Sequence, residues 1–338
     1  MKKFLFLAVA LICQIVSWAQ GVQTATLHHG DEFKSFYSAT AFKEAMESAQ
    51  PGDIINLSAG TFKSAYINVL VTIKGAGIGA LDNTENVSKA RTTLSGEFII
   101  NVPTDPDGYT LSMEGMVCEG AMSIEEVNNP IFSKMRMGTI NTYGGEPKMN
   151  NVTLFHCIFD ELLPSTEATF SIYNCIFPGI NTSHINGSHF SIFNSVINLK
   201  SGYEGDNEMI TYNNCIINLT PEISFDGYHQ ASLYDCLCIG GDDRSFGNSY
   251  YQVDNSQPER NNRLFPKDAA AFIDGTFYRL TDQAAAYLGN DGTQVGIYGT
   301  ALPFSTRTSY PQIKKFVVAP ESTADGKLKI EIEIDAAN

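Results

Sequence analysis

The sequence predicts an all-β protein, a parallel β-helix of about eight stacked coils. Three observations predict it. A cassette of eight residues recurs about every twenty residues. Apolar and polar residues alternate inside the cassette. One column between its two halves is held by Asn, Asp, Gly or His.

The clearest copies are Val152–Phe159, Phe170–Phe177, Phe190–Ile197, Ile210–Ile217 and Ala231–Cys238. Their fifth positions are His156, Asn174, Asn194, Asn214 and Asp235, at intervals of 18, 20, 20 and 21 residues. Leu111–Cys118 fits with Gly115 in that place, the stretch from Pro130 to Met137 fits in part with Lys134, and Val71–Gly75 reads as the first copy. Positions one and three are apolar and position two is nearly always Ser or Thr, so one face meets a core and the other meets water. The fifth position carries mostly the residue types that tolerate a left-handed backbone, so the chain bends there. A second short strand follows, with positions six and eight inward. One coil cannot bury its apolar face alone, so neighbours must stack, and like residues then lie above one another at about 4.8 Å. Asn174, Asn194 and Asn214 are expected to form an amide ladder, and Cys157, Cys175, Ser195, Cys215 and Cys236 an inward column of small residues.

Composition narrows the function. Charged residues make up only 17% of the 338, and 37 Asp and Glu face 22 Lys and Arg, a net charge of −15. That acidity argues against nucleic acid and anionic membrane surfaces as partners, and makes a strongly polyanionic substrate less favoured. Lys2 and Lys3, the apolar run Phe4–Val16 and the small-x-small site Ser17-Trp18-Ala19 form an export leader, too short to span a membrane. Cys13 is preceded by Ile12, not the small residue a lipid-anchor signal needs. The mature chain is therefore expected in the periplasm, at the cell surface or in the medium. Its six remaining cysteines read as small buried fillers beside the bend, with disulfides or reactive thiols as the alternative.

An open solenoid needs covers at its ends. Ala41, Phe42, Ala45, Met46 and Ala49 form one face of a short helix, with Ser38 or Thr40 as N-cap. Gln50-Pro-Gly-Asp53 ends it, Ile54–Leu57 is the first coil strand, and Ala59-Gly-Thr-Phe62 the first turn. After Pro303 the character changes. Ile313–Ala319 and Lys327–Ile334 read as two alternating strands around Thr323-Ala-Asp-Gly326, a hairpin too small to make its own core. The expected domains are a leader at 1–19, the β-helix with its cap at 20–308 and the hairpin tail at 309–338.

The stretch SAQPGDIINLSAGTF followed by VTIKGAG at 48–77 resembles the opening of pectin-lyase-like secreted β-helix proteins, and 272–299 resembles the closing segment of exported β-helix proteins from polysaccharide-using bacteria. The resemblance covers about 33–300 and implies a right-handed coil. It is nearly silent on activity, because this superfold hosts many functions. The calcium-dependent pectate lyases, the pectin methylesterases and the polygalacturonases of this superfold use catalytic motifs for which the coils offer no residue-by-residue match.

Three candidate sites remain. In the loop from Lys200 to Glu208, alternating Glu204, Asp206 and Glu208 suit Ca²⁺, and Lys200 or Tyr203 suits a proton-abstracting base, against the plainer reading of a solvated acidic loop. Asp242-Asp243-Arg244 has the same plain reading. The fourth cassette column, Phe155, Tyr173, Phe193, Asn213 and Tyr234, is expected to point outward, a platform for sugar rings unless a loop or the hairpin covers it. The aliphatic seventh column, Ile158, Ile176, Val196, Ile216 and Leu237, also asks for a cover. The expectation is an exported protein that binds a polysaccharide or a cell-surface protein. A polysaccharide lyase or hydrolase, and a structural protein docking through its hairpin, are the alternatives.

Overall fold

A computed structural model describes residues 23–79, 90–103, 108–142, 151–164, 168–180, 188–199, 209–219, 231–239, 250–252, 278–282, 288–309, 312–318 and 330–335. The alternation in each cassette becomes two parallel sheets that meet at the bend, forming a β-solenoid whose coil count is close to that expected. The first sheet stacks the first strand of each coil from Ile54–Leu57 through Thr72–Lys74, Ser112–Glu114 and onward to Ala231–Tyr234 and Tyr250–Gln252. The second stacks the strands that follow the bend, from Gly60–Lys63 to Leu237–Ile239, with Phe98–Asn101 and Met122–Glu126 branching from its N-terminal part. Gly60–Lys63 pairs with Thr92–Ser95, so the segment expected as a first turn is already a strand of the second sheet.

The register is the one the cassette alignment requires. Val152, Phe170, Phe190, Ile210 and Ala231 lie in one row and Leu154, Ile172, Ile192, Tyr212 and Leu233 in the next. Stacking like on like lets flat rings lie face to face in the core. Phe170 and Phe190 are 5.0 Å apart at 9°, and Phe159 and Phe177 4.7 Å apart at 13°. All four are buried.

The N-terminal cover has two parts. The helix Ala41–Ser48 buries Ala41, Phe42, Ala45 and Met46, with Thr40 at its N-cap and Ala49 partly buried. The Thr40 hydroxyl donates to Glu44 Oε1 at 2.8 Å, and the Thr40 N–H donates to Ser38 Oγ. The second part is a hairpin the sequence reading did not anticipate. Thr24–His29 pairs antiparallel with Glu32–Tyr37 on one side and with Ile54–Leu57 on the other, closing the edge of the first coil. Gly30, at φ 58, turns it. Asp53 fixes the helix exit: its buried carboxylate accepts the Gln50 N–H at 2.8 Å and meets His29 Nδ1 at 2.7 Å.

Near the C-terminus of the chain, Gln312–Val318 and Ile330–Asp335 form a separate two-stranded antiparallel sheet. No helix among the described residues is long and apolar enough to cross a membrane.

Candidate functional site

The bend column is the spine of the molecule. Lys134, His156, Asn174, Asn194, Asn214 and Asp235 all adopt left-handed backbone, with φ between 45 and 55°, and Gly115 takes the same place at 71°. From Gly115 to Asn214 each N–H donates to the carbonyl just before the bend of the next coil, as from Asn174 to Phe193, Asn194 to Asn213 and Asn214 to Tyr234. The ladder is therefore carried by the backbone.

The side chains turn instead to a strap, residues 288–309, that runs back along the solenoid over the bends. Asn214 bonds Asn290 twice, donating from Nδ2 to Oδ1 at 3.1 Å and accepting the N–H at Oδ1 at 3.0 Å. Its carbonyl also accepts the Gly296 N–H at 2.8 Å. Asn174 Nδ2 donates to the Ile297 carbonyl at 3.0 Å, and His156 Nε2 meets the Leu302 carbonyl at 3.1 Å. At the far end Glu114 accepts the N–H and hydroxyl of Ser309 and faces Lys134 Nζ at 3.4 Å. Gly299 is required where the strap passes the bend, since a Cβ there would collide with the Gln294 carbonyl oxygen and crowd Asn194 Nδ2.

The strap also supplies the cover that the seventh column asked for. Val196, Ile216 and Leu237 are buried with Ile239 against Val295 and Ile297, and Ile176, Tyr278, Leu280, Tyr298 and Phe304 pack around them. This apolar cluster lies outside the solenoid core, on the outer flank of the second sheet.

His156 is the titratable group beneath the strap. It is buried and stacked on Phe155 at 3.9 Å, with Phe304 5.7 Å away. Its Nδ1 finds no partner. Burial lowers its pKa from 6.5 to about 4, against the opposing pull of the Leu302 carbonyl and with a smaller push from Lys134. The docked strap thus holds a neutral imidazole, and release of the strap lets its pKa rise toward the ordinary 6.5. Docking stability is full above pH 6.5 and is lost as pH falls from there toward 4, by at most about 1.4 kcal/mol per pH unit. The protection factor of the Phe304 amide, its exchange rate referred to the intrinsic rate at each pH, is expected to fall over that window in the native protein and to stay constant in His156→Asn. Equal acid sensitivity in the two proteins contradicts this.

The cysteines behave as inward fillers. Cys118, Cys157, Cys175, Cys215, Cys236 and Cys238 are all free and buried. The thiols of Cys157, Cys175, Cys215 and Cys236 donate to carbonyls in and around the bend, as from Cys215 to Asn213 and Cys236 to Tyr234. Ser195 fits the same column, its hydroxyl accepting the Cys175 N–H at 3.1 Å and donating to the Phe193 carbonyl at 2.8 Å. Burial pushes the thiols of Cys118, Cys175, Cys215 and Cys238 well up, which keeps them protonated and inert.

On the outer face of the first sheet two columns run side by side. Thr153, Ser171, Ser191, Thr211 and Ser232 stand in one register row, and Phe155, Tyr173, Phe193, Asn213 and Tyr234 two residues further along each strand. Every one of these side chains is half-buried. The rings of Tyr173 and Phe193 stack on each other, 5.1 Å apart at 9°. Each ring therefore gives one face to the other, and what they turn outward is ring edge and, for Tyr173, hydroxyl. The strap lies over the bends beside this face and meets the column at its Phe155 end, through Phe304 and His156.

Lys200, Tyr203, Glu204, Asp206 and Glu208, and Asp242 to Arg244, lie outside the described residues. Among the described residues no group of three or more His, Cys, Asp or Glu is placed to hold a metal ion. The residues that sequence reasoning missed are those of the strap, Asn290 and Ile297 above all. The aliphatic seventh column was the signal that something must lie over it. No protein-family model matches the chain, and no curated protein and no solved structure is detectably similar to it. What fold and site define is a parallel β-solenoid with strapped bends and one outward face of paired hydroxyl and aromatic columns.

Proposed function

We propose that this is an exported β-helix protein that engages glycans through the outer face of its first sheet. The observation that carries this reading is the in-register row Phe155, Tyr173, Phe193, Asn213 and Tyr234 beside a row of hydroxyls. Such a surface offers hydrogen-bonding groups at every rung and an aromatic edge at each but that of Asn213, the mixture that sugar-binding sites use. The leader at 1–19 supports an exported location, where polysaccharides are met. Retention of the purified protein on a panel of insoluble polysaccharides tests the proposal, with bovine albumin as the blank. Binding to at least one polymer is the expected result, and retention no better than albumin on all of them overturns it.

The opening at 48–77, with its resemblance to pectin-lyase-like proteins, favours a second reading as a polysaccharide lyase or hydrolase of that superfold. Release of reducing ends or unsaturated products, abolished by chelation or by Lys200→Ala, would select it.

A further inference from the structure

Resting on that reading, we infer that the ligand is an uncharged, extended polysaccharide that lies along the solenoid axis. From Ser133 to Tyr234 neither outward row contains an acid or a base; the rows offer hydroxyls, ring edges and the Asn213 amide. The charged members of the same rows, Lys74 and Glu114, stand at the N-terminal end, and Glu114 is occupied by Lys134 and Ser309. A chain of uronates laid along these two rows would bring one carboxylate after another against neutral groups, His189 being the one basic side chain among the described strands from Val152–Phe155 to Ala231–Tyr234, on a protein of net charge −15. A neutral chain meets no such cost.

Direction follows from the repeat. Along the axis a hydroxyl recurs at each rung from Thr153 to Ser232, paired with a ring except at Asn213, at a spacing of about 4.8 Å, while across the strands the two rows lie about 6.6 Å from each other. Only along the axis does the surface present a periodic row, and a pyranose ring is close to one rung across. The stacking of Tyr173 on Phe193 sets the mode of contact. The faces that Tyr173 and Phe193 turn to each other are closed, so sugar oxygens meet their weakly positive outward edges and the hydroxyls of Ser171 and Ser191. The ligand is held by many weak contacts in a line, which selects for polymers over short oligosaccharides.

The test is co-sedimentation of the full chain with neutral mannan, xylan and β-glucan in parallel with polygalacturonate and alginate, at 0.05 and about 0.5 M salt, where screening reports ionic contributions. The expected result is binding to a neutral polymer that is insensitive to salt and falls at least about tenfold, a loss of at least about 1.4 kcal/mol, in Tyr173→Ala and in Ser191→Asp. The second variant changes an outward side chain and leaves the core untouched, so it holds if Tyr173→Ala folds poorly. Binding confined to the uronate polymers overturns the inference and leaves glycan engagement standing. Neutral binding unchanged in both variants overturns it too, by placing the site elsewhere. Binding to neither class sinks the broader reading along with it.

Discussion

Phe170→Ala is expected to cost about 3–5 kcal/mol, the largest loss for any single substitution considered, because it removes a whole ring from a stack that cannot close over the gap. Phe170 is fully buried, lies on Phe190 at 5.0 Å and sits in register between Val152 and Phe190. In a solenoid each coil rests only on its neighbours, so a hole in one rung weakens two interfaces. Denaturant unfolding, followed by circular dichroism, measures the loss. The control is Phe33→Ala, at a side chain 73% exposed on the N-terminal hairpin, where a change within about 0.5 kcal/mol is expected. Similar costs at the two positions would show that the stack is not where the stability lies.

Asn214 is expected to be the most sensitive position of the bend column. Asn214→Leu imposes a left-handed backbone on a side chain that opposes it, at about 1–2 kcal/mol, and strips two partly buried hydrogen bonds from Asn290 at about 1 kcal/mol each. The total is about 3–4 kcal/mol, read as a fall in melting temperature. Asn214→Gly separates the causes, since glycine accepts φ 53 freely and loses only the amide bonds. The expected order of stability is Asn, then Gly, then Leu. Gly equal to Asn would mean that the contact with the strap contributes nothing and that only backbone conformation selects the residue.

That pair of variants also marks the line between what the sequence revealed and what it concealed. The bends were legible because a left-handed residue is a local demand that few residue types meet, and the Asn, Asp and His of the fifth column answer it one by one. The Cys and Ser column was legible because stacking forces like residues into one place, and a buried position beside a tight bend admits only small side chains. The strap was not legible. Its partners for Asn174 and His156 are main-chain carbonyls, those of Ile297 and Leu302, and a carbonyl leaves no mark on residue identity. Only its need was visible, in the aliphatic row of Val196, Ile216 and Leu237. The N-terminal hairpin escaped for a different reason: Glu32–Tyr37 is an edge strand whose exposed Phe33 and Tyr37 blur the alternation that identifies a half-buried strand. The aromatic row on the first sheet was legible as a row, but ring orientation is set by contact between neighbours and not by spacing along the chain. Stacking of Tyr173 on Phe193 changes what the surface can offer, from ring faces to ring edges.

Engineered cross-linking between coils tests the register most directly. Ser171 and Ser191 are paired neighbours on adjacent strands, about 4.8 Å apart, inside the range of about 4.4–6.8 Å between Cα atoms that a disulfide spans. Ser171 and Thr211 are two rungs apart, about 9.6 Å, and outside it. The native thiols are buried and do not compete for mild oxidant. Ser171→Cys with Ser191→Cys is predicted to close an intramolecular disulfide within the folded protein, and Ser171→Cys with Thr211→Cys to stay reduced. Closure of the second pair while the first remains open would contradict the stacking of like upon like.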